Sequence, residues 1–162
     1  MMFFQSKEAA ARPNKQEWFM KIAQVVSERG TCTRRRVGCV VVDIFNNITA
    51  TGYNGPARGL PHCIDKPCMG ASASSGEHLD LCEAIHAEVN AISQCKDIHQ
   101  VAEIYCTTAP CVSCTKVLLN TGALRIFFKD DYAQSVQAQR LWCQSHPKRE
   151  WIKLHDKTEE KL

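Results

Sequence analysis

What most constrains this chain is an alternation of period. Short apolar runs of strand length recur between stretches with a helical repeat, and that switching fixes an order of elements before any chemistry is considered. From Asn14 to Arg29, the positions of Trp18, Phe19, Ile22, Val25 and Val26 predict an amphipathic helix closed by Gly30. Val37 to Asp43 is a continuous apolar run, Asn46-Asn47 is a turn pair, and Ile48 to Tyr53 completes a predicted hairpin. After a long loop comes a helix over Ala84 to Gln94, with Ile85, Val89 and Ile92 on one side. There follow a strand at Glu103 to Thr107, a helix from Cys111, a strand at Leu124 to Phe128, a helix from Tyr132 to Cys143 and a strand at Trp151 to Leu154. The order αββαβαβαβ predicts an α/β fold with a mostly parallel sheet covered on both faces. Ligand sites in such folds lie at strand ends beside helix starts.

The residues with chemistry to offer sit at those starts. His86-Ala87-Glu88 opens one helix and Pro110-Cys111-Val112-Ser113-Cys114 opens the next. One imidazole and two thiolates suit a tetrahedral Zn²⁺ and leave its fourth position open, the arrangement of a catalytic rather than a structural site. Pro110 marks a helix start, and Cys111 and Cys114 at i, i+3 share one face of its first turn. The positive end of the helix dipole favours thiolates there. His86 and Glu88 lie roughly 200° apart around a helix, so both can serve one ion only if it sits off the helix end. Two helix N-termini converging on one zinc are therefore expected, with His86, Cys111 and Cys114 as ligands and Glu88 as the catalytic proton carrier. The pattern H-x-E with P-C-x-x-C is that of zinc nucleobase deaminases.

At 162 residues the chain is long enough for one well-cored domain and short for two, so a single domain over residues 1–162 is expected. Twenty basic and 17 acidic residues are mixed along it apart from Arg34-Arg35-Arg36, which argues against a nucleic-acid polymer and suits a small anion. Met1 to Phe4 is apolar but is followed at once by Gln5, Ser6, Lys7 and Glu8, too short for a signal-peptide core. No stretch approaches the length of a membrane span. Ten cysteines in a chain of this size read as reduced thiols used for metal and packing, which points to a cytoplasmic location. Cys39, Cys95, Cys106 and Cys143 are expected to pack as small hydrophobes.

Val37-Gly38-Cys39-Val40-Val41-Val42, Thr51-Gly52-Tyr53-Asn54-Gly55, His86-Ala87-Glu88-Val89-Asn90-Ala91-Ile92 and Ala109-Pro110-Cys111-Val112-Ser113-Cys114 resemble, in order and spacing, the motifs of the deoxycytidylate deaminases of the cytidine-deaminase-like superfamily. The resemblance runs from Cys32 to about Tyr132. It implies a three-layer αβα sandwich on a five-stranded mixed sheet and zinc-dependent hydrolysis of dCMP to dUMP and ammonia, with Glu88 relaying the proton. It also implies a homohexamer activated by dCTP with Mg²⁺ and inhibited by dTTP.

For substrate contacts the resemblance points to Arg34, to Asn54 at the sugar and to Tyr132 near the phosphate. Asn54 beside Gly55 can equally be a plain turn residue, and Arg35 and Arg36 read as solvated or interfacial. Some relatives place Arg directly after the tyrosine where this chain has Ala133, so Lys129 is the expected substitute charge. Cys32, His62, Cys63, Cys68, His78 and Cys82 raise a second, structural zinc, with His78 and Cys82 as an i, i+4 pair. The alternative is a mobile lid of free thiols rich in Gly70, Ser72, Ser74, Ser75 and Gly76. Open beside dCMP deamination stand a dual dCMP/dCTP deaminase, a deaminase of tRNA or single-stranded DNA, and a zinc-stabilised module without activity.

Overall fold

The computed structural model describes residues 12–74 and 77–155; Ser75 and Gly76 of the loop fall outside it. The main elements are α1 (Lys15–Ser27), β1 (Gly38–Asp43), β2 (Ile48–Tyr53), α2 (Ala87–Gln94), β5 (Val101–Thr108), α3 (Val112–Leu118), β6 (Arg125–Asp130), α4 (Ser135–Ser145) and β7 (Glu150–Lys153). Two-residue strands β3 (Gly55–Pro56) and β4 (Ala84–Ile85) pair with each other in the loop region. Asn14 caps α1 through a capping box, its Oδ1 accepting from the Glu17 N–H at 2.8 Å. Such a cap is worth about 1 kcal/mol. The hairpin turn forms at Asn46, whose φ of 66° is left-handed, while the Asp43 carboxylate accepts from the N–H groups of Phe45 and Asn47.

The sheet order is β2-β1-β5-β6-β7. Both pairings of β1 are antiparallel and the β5-β6 and β6-β7 pairings are parallel, so the sheet is evenly mixed rather than mostly parallel. The reason is the hairpin: it sends β1 back against β5, and only the strands joined through α3 and α4 run the same way.

Alternation along the strands separates two cores. Val40, Val42, Tyr105 and Phe127 face α1, whereas Cys39, Val41, Ile104, Cys106, Ile126 and Phe128 face the layer built from α2, α3 and α4. Each fully buried Val, Ile or Phe contributes roughly 1.5–3 kcal/mol. Two glycines let the layers close. A Cβ at Gly38 would lie 2.0 Å from the Ala23 carbonyl of α1, and one at Gly52 would lie 2.2 Å from the Ala87 carbonyl of α2.

That close approach changes which residues are buried. On α1 the core face is Phe19, Met20 and Ala23, while Trp18 and Val25 are exposed. On α2 it is Ala87, Glu88 and Ala91, with Ile85, Val89 and Ile92 only half-buried. The helix also begins later than Ala84, because Ala84 and Ile85 are drawn into the small sheet. On α4 the buried pair is Ala138 and Trp142, which turns Cys143 out to solvent rather than into the core. Cys39 and Cys106 are fully buried with their sulfurs 3.6 Å apart, and Cys95 is half-buried. No helix among the described residues is long and apolar enough to cross a membrane.

Candidate metal centre

Two helix starts meet beside the C-terminal end of β5. His86 is the N-cap of α2 and Cys111 the N-cap of α3, both with extended backbone, so their side chains project off the helix ends. The Cys111 sulfur takes the capping role itself, accepting from the Cys114 N–H at 3.4 Å. The Nδ1 atom of His86 lies 3.5 Å from the Cys111 sulfur and 3.3 Å from that of Cys114. All three donor atoms lie within 4.8 Å of one another, and no other cluster of this kind occurs among the described residues. Tetrahedral zinc at ordinary bond lengths sets a nitrogen-to-sulfur edge of about 3.6 Å, which the two distances approach.

The protonation chemistry of the donors fits a cation as well. Cys111 is brought down to about 4, chiefly by a hydrogen bond from Cys114, against burial, with His86 and the Cys114 N–H helping. Cys114 is pushed up because it hydrogen-bonds to Cys111 and is buried, so the two sulfurs share a proton. A divalent ion takes the place of such a proton and leaves both groups as thiolates. His86 is raised, first by its hydrogen bond to Cys111. The donor set therefore fits Zn²⁺.

Glu88, the second residue of α2, is 4 % exposed. Its carboxyl is raised, chiefly by burial, while His86 pulls it down and Cys111 pushes it up. It lines one pocket with His86 and Cys111, about 590 Å³ including its open mouth. Arg34, Asn54 and Tyr132 line the same pocket, so the structure brings every predicted site residue to it except Cys114, whose buried sulfur belongs to the donor cluster without lining the pocket. Asn54 is buried. Its Oδ1 accepts from the Val37 N–H and its Nδ2 donates to the Arg35 carbonyl, both at 2.8 Å, which leaves one lone pair and one N–H of the amide for another partner. Arg34 donates to the carbonyl oxygens of Ser74 and Glu77.

Arg35 was expected to be solvated or interfacial; it is half-buried and lines the pocket. Its Nη1 reaches the Thr108 hydroxyl at 3.5 Å. Thr108 and Ala109 also line the pocket; their place just before Pro110, at a strand end beside a helix start, was the signal available for them. Lys129 lies on β6 and is not among the lining residues.

Cys32, Cys63, Cys68 and Cys82 face a smaller adjacent cavity, with the Cys63 and Cys68 sulfurs 3.8 Å apart. Burial opposes ionisation of Cys63, but hydrogen bonds with Thr33 and Cys68 outweigh it and bring the thiol down to about 7. The His78–Cys82 helical pair does not form: His78 has a φ of 44°, and only a single 3₁₀ turn, Leu79–Leu81, follows. His62 and His78 do not line this cavity.

Residues 13–129 match the family described as the cytidine and deoxycytidylate deaminase zinc-binding region. Deoxycytidylate deaminase of Saccharomyces cerevisiae is 36% identical over 132 residues, 80% of this chain and 42% of the yeast protein. That of Schizosaccharomyces pombe is 35% identical over 125 residues, 75% of this chain and 38% of the relative. The chain thus spans less than half the length of these two relatives. Among solved structures, dCMP deaminase from the cyanophage S-TIM5 in complex with dCMP and dUMP superposes with a TM-score of 0.71 at 26% identity, covering 89% of this chain and 99% of the phage protein. With the motifs, the mixed sheet and the His86, Cys111 and Cys114 cluster in agreement, the chain belongs to the cytidine and deoxycytidylate deaminase zinc-binding family.

Proposed function

We propose that this chain is one catalytic domain that hydrolyses dCMP to dUMP and ammonia, with His86, Cys111 and Cys114 as zinc ligands and Glu88 as the catalytic residue. The observation that carries the reading is Glu88: a buried carboxyl held above its ordinary pKa, lining the pocket with His86 and Cys111, two of the three clustered donors. Zinc bound there supplies Lewis acidity that makes a hydroxide nucleophile available near neutral pH. Glu88 accepts the proton of the attacking water. It passes a proton to N3 of the pyrimidine and then assists the amino group at C4 to depart as ammonia, so water is consumed and one C–N bond is exchanged for a C–O bond. A carboxyl that must act as both base and acid works best with its pKa raised toward the working pH, which is the direction burial imposes. Val37, Ala87 and Ala109 give the ring apolar walls, and the remaining hydrogen-bonding capacity of Asn54 suits a sugar hydroxyl or base edge.

The names of the yeast relatives and the phage complex support dCMP as substrate. A polymer substrate needs a basic, aromatic-lined channel, whereas this lining offers two arginines and the single aromatic ring of Tyr132. From the family resemblance we extend the reading to activation by Mg²⁺·dCTP, inhibition by dTTP, a homohexamer and a cytoplasmic location. The resemblance extends the reading to a second, structural zinc; Cys32, Cys63, Cys68 and Cys82 line one small cavity without forming a metal-sized cluster among the described residues, and two zinc ions per chain would establish it where one would rule it out. The reaction is tested by following cytosine loss on dCMP, dCTP and deoxycytidine with and without each effector. Turnover of dCMP raised by dCTP and lowered by dTTP is expected; equal turnover of dCMP and dCTP would favour the dual enzyme, and silence with zinc bound would refute the assignment.

A further inference from the structure

We propose that Cys63 and Cys68 form a thiol–disulfide exchange site for small disulfides of the glutathione class, and that closing their disulfide loosens the adjoining wall of the substrate pocket. Only the second half rests on the deaminase reading above.

The pair is assembled by the chain between β3 and β4. The N–H groups of Asp65 and Lys66 donate to the His62 carbonyl at 2.9 and 2.8 Å, which turns the chain back on itself just after Cys63. The Gly70 N–H donates to the Leu81 carbonyl at 3.1 Å and holds the segment after Cys68 against the end of the loop. The two sulfurs end 3.8 Å apart. A disulfide needs about 2.05 Å, so ring closure asks for an approach of roughly 1.8 Å within one local loop.

Exposure sorts the roles of the two thiols. Cys68 is half-buried and Cys63 is 6 % exposed. The Cys68 thiolate attacks one sulfur of the external disulfide, forming a mixed disulfide and releasing one glutathione thiolate. Cys63 then attacks the Cys68 sulfur, and the second glutathione thiolate leaves. One S–S bond breaks and one forms; two cysteine thiols are oxidised, the external disulfide is reduced to two thiols, and the two cysteine protons end on the released glutathiones.

The same sulfurs cannot hold a structural zinc and a disulfide at once, and their arrangement favours exchange. Among the described residues, donors at metal spacing come together only at His86, Cys111 and Cys114. Cys63 and Cys68 meet as a pair, and neither His62 nor His78 lines their cavity. That cavity shares Cys32, Cys82 and Ala84 with the substrate pocket. The Cys63 sulfur also lies 3.4 Å from the hydroxyl of Thr33, the residue after Cys32. Drawing the sulfur toward Cys68 takes it away from Thr33 and removes a tie on the segment that carries Cys32 into the pocket wall.

The test incubates the zinc-loaded full chain, with its Cys63→Ser and Cys68→Ser variants, with glutathione disulfide and then with dithiothreitol. Zinc content and dCMP kinetics are recorded at each stage. Cleavage before Asp65 and Asp80 puts Cys63, Cys68 and Cys82 on three peptides, so mass mapping identifies the bridge without any substrate. The wild type is expected to yield a Cys63–Cys68 bridge that dithiothreitol reverses, and Cys63→Ser should stop with glutathione on Cys68. The bridge should raise KM for dCMP about fivefold at constant kcat, the scale of one lost hydrogen bond. Cys68→Ser should keep the kinetics of the reduced wild type and lose this response. Cys63 and Cys68 that stay reduced overturn the inference, in favour of the structural metal if the chain carries two zinc ions. So does a bridge from Cys68 to Cys82, or zinc loss in wild type and Cys68→Ser alike, which would place the attack on the ligands. A Cys63–Cys68 bridge with unchanged KM overturns the coupling to the pocket. A bridge in a chain that leaves dCMP untouched sinks the reaction and keeps the exchange site.

Discussion

Among the described residues two glutamates are buried, Glu103 on β5 and Glu88 on α2, and they could hardly be treated more differently. Glu103 is 2 % exposed near the start of β5. Its Oε1 receives Lys15 Nζ at 2.9 Å and Arg125 Nη2 at 2.6 Å, and its Oε2 receives the Tyr105 hydroxyl at 2.7 Å. Burial alone would raise its pKa, but the bonds from Tyr105, Lys15 and Arg125 outweigh burial and hold it low. Glu88, beside the other end of β5, answers chiefly to burial, and the side chains that act on it most are His86, Cys111 and Cys114. The pair of cations that neutralises Glu103 has no counterpart there. A buried carboxylate surrounded by donors is a strut; a buried carboxyl whose pKa is set chiefly by burial, beside a metal-ligand cluster, is poised to exchange protons.

That contrast can be broken or sharpened by substitution. Stripping the metal with a chelator should abolish dCMP turnover, and adding Zn²⁺ should restore it; turnover that survives complete zinc removal, checked by metal analysis, would detach the reaction from His86, Cys111 and Cys114. Glu88→Gln should keep zinc and fold while lowering kcat by about 10³-fold, the scale of a lost general acid–base group. The same change at the other end should do the reverse. Glu103→Gln is expected to leave kcat per folded molecule within about twofold but to cost about 2–3 kcal/mol in urea unfolding, because Lys15 and Arg125 lose their shared anion and are only partly screened by solvent.

Tyr105→Phe removes one donor and leaves the two cations, so a smaller cost of about 1–2 kcal/mol is expected. The pH dependence follows from direction. The folded-state pKa of Glu103 lies below its ordinary 4.5, so its contribution is present in full above that value and is lost as pH falls through the folded value. The stability gap between wild type and Glu103→Gln should therefore close on acidification below about pH 4.5. A gap that stays constant to pH 3 would mean that Glu103 acts by packing alone.

The chemistry of the site was legible because it is local. His86 and Glu88 are two residues apart, Cys111 and Cys114 three, and a helix start after each first ligand suffices to aim them at one point. The succession of strands and helices was legible for the same reason, since each element carries its own period. What could not be read was decided by packing between elements. The antiparallel β1-β5 pairing depends on where the hairpin docks. The buried face of α2 is lined by Ala87 and Ala91, small residues that give a weak hydrophobic signal and are favoured because Gly52 lets the helix approach so closely. Trp18 looks like a core residue by type, yet the small Ala23 takes the place against Gly38. Arg35 looked like one charge in a run of three, and only the bracket formed by Asn54 shows that its backbone is fixed at the pocket.

The measurement that tests the account most directly is conversion of dCMP to dUMP and ammonia by the zinc-loaded chain, run beside its Glu88→Gln variant with zinc content and thermal unfolding recorded for both. The account predicts stoichiometric dUMP and ammonia from the wild type and about a thousandfold less from the variant, which retains its zinc and its folded state. Turnover by the variant at the wild-type rate would contradict the role of Glu88, and a wild type that binds zinc, folds and leaves dCMP untouched would contradict the reaction itself.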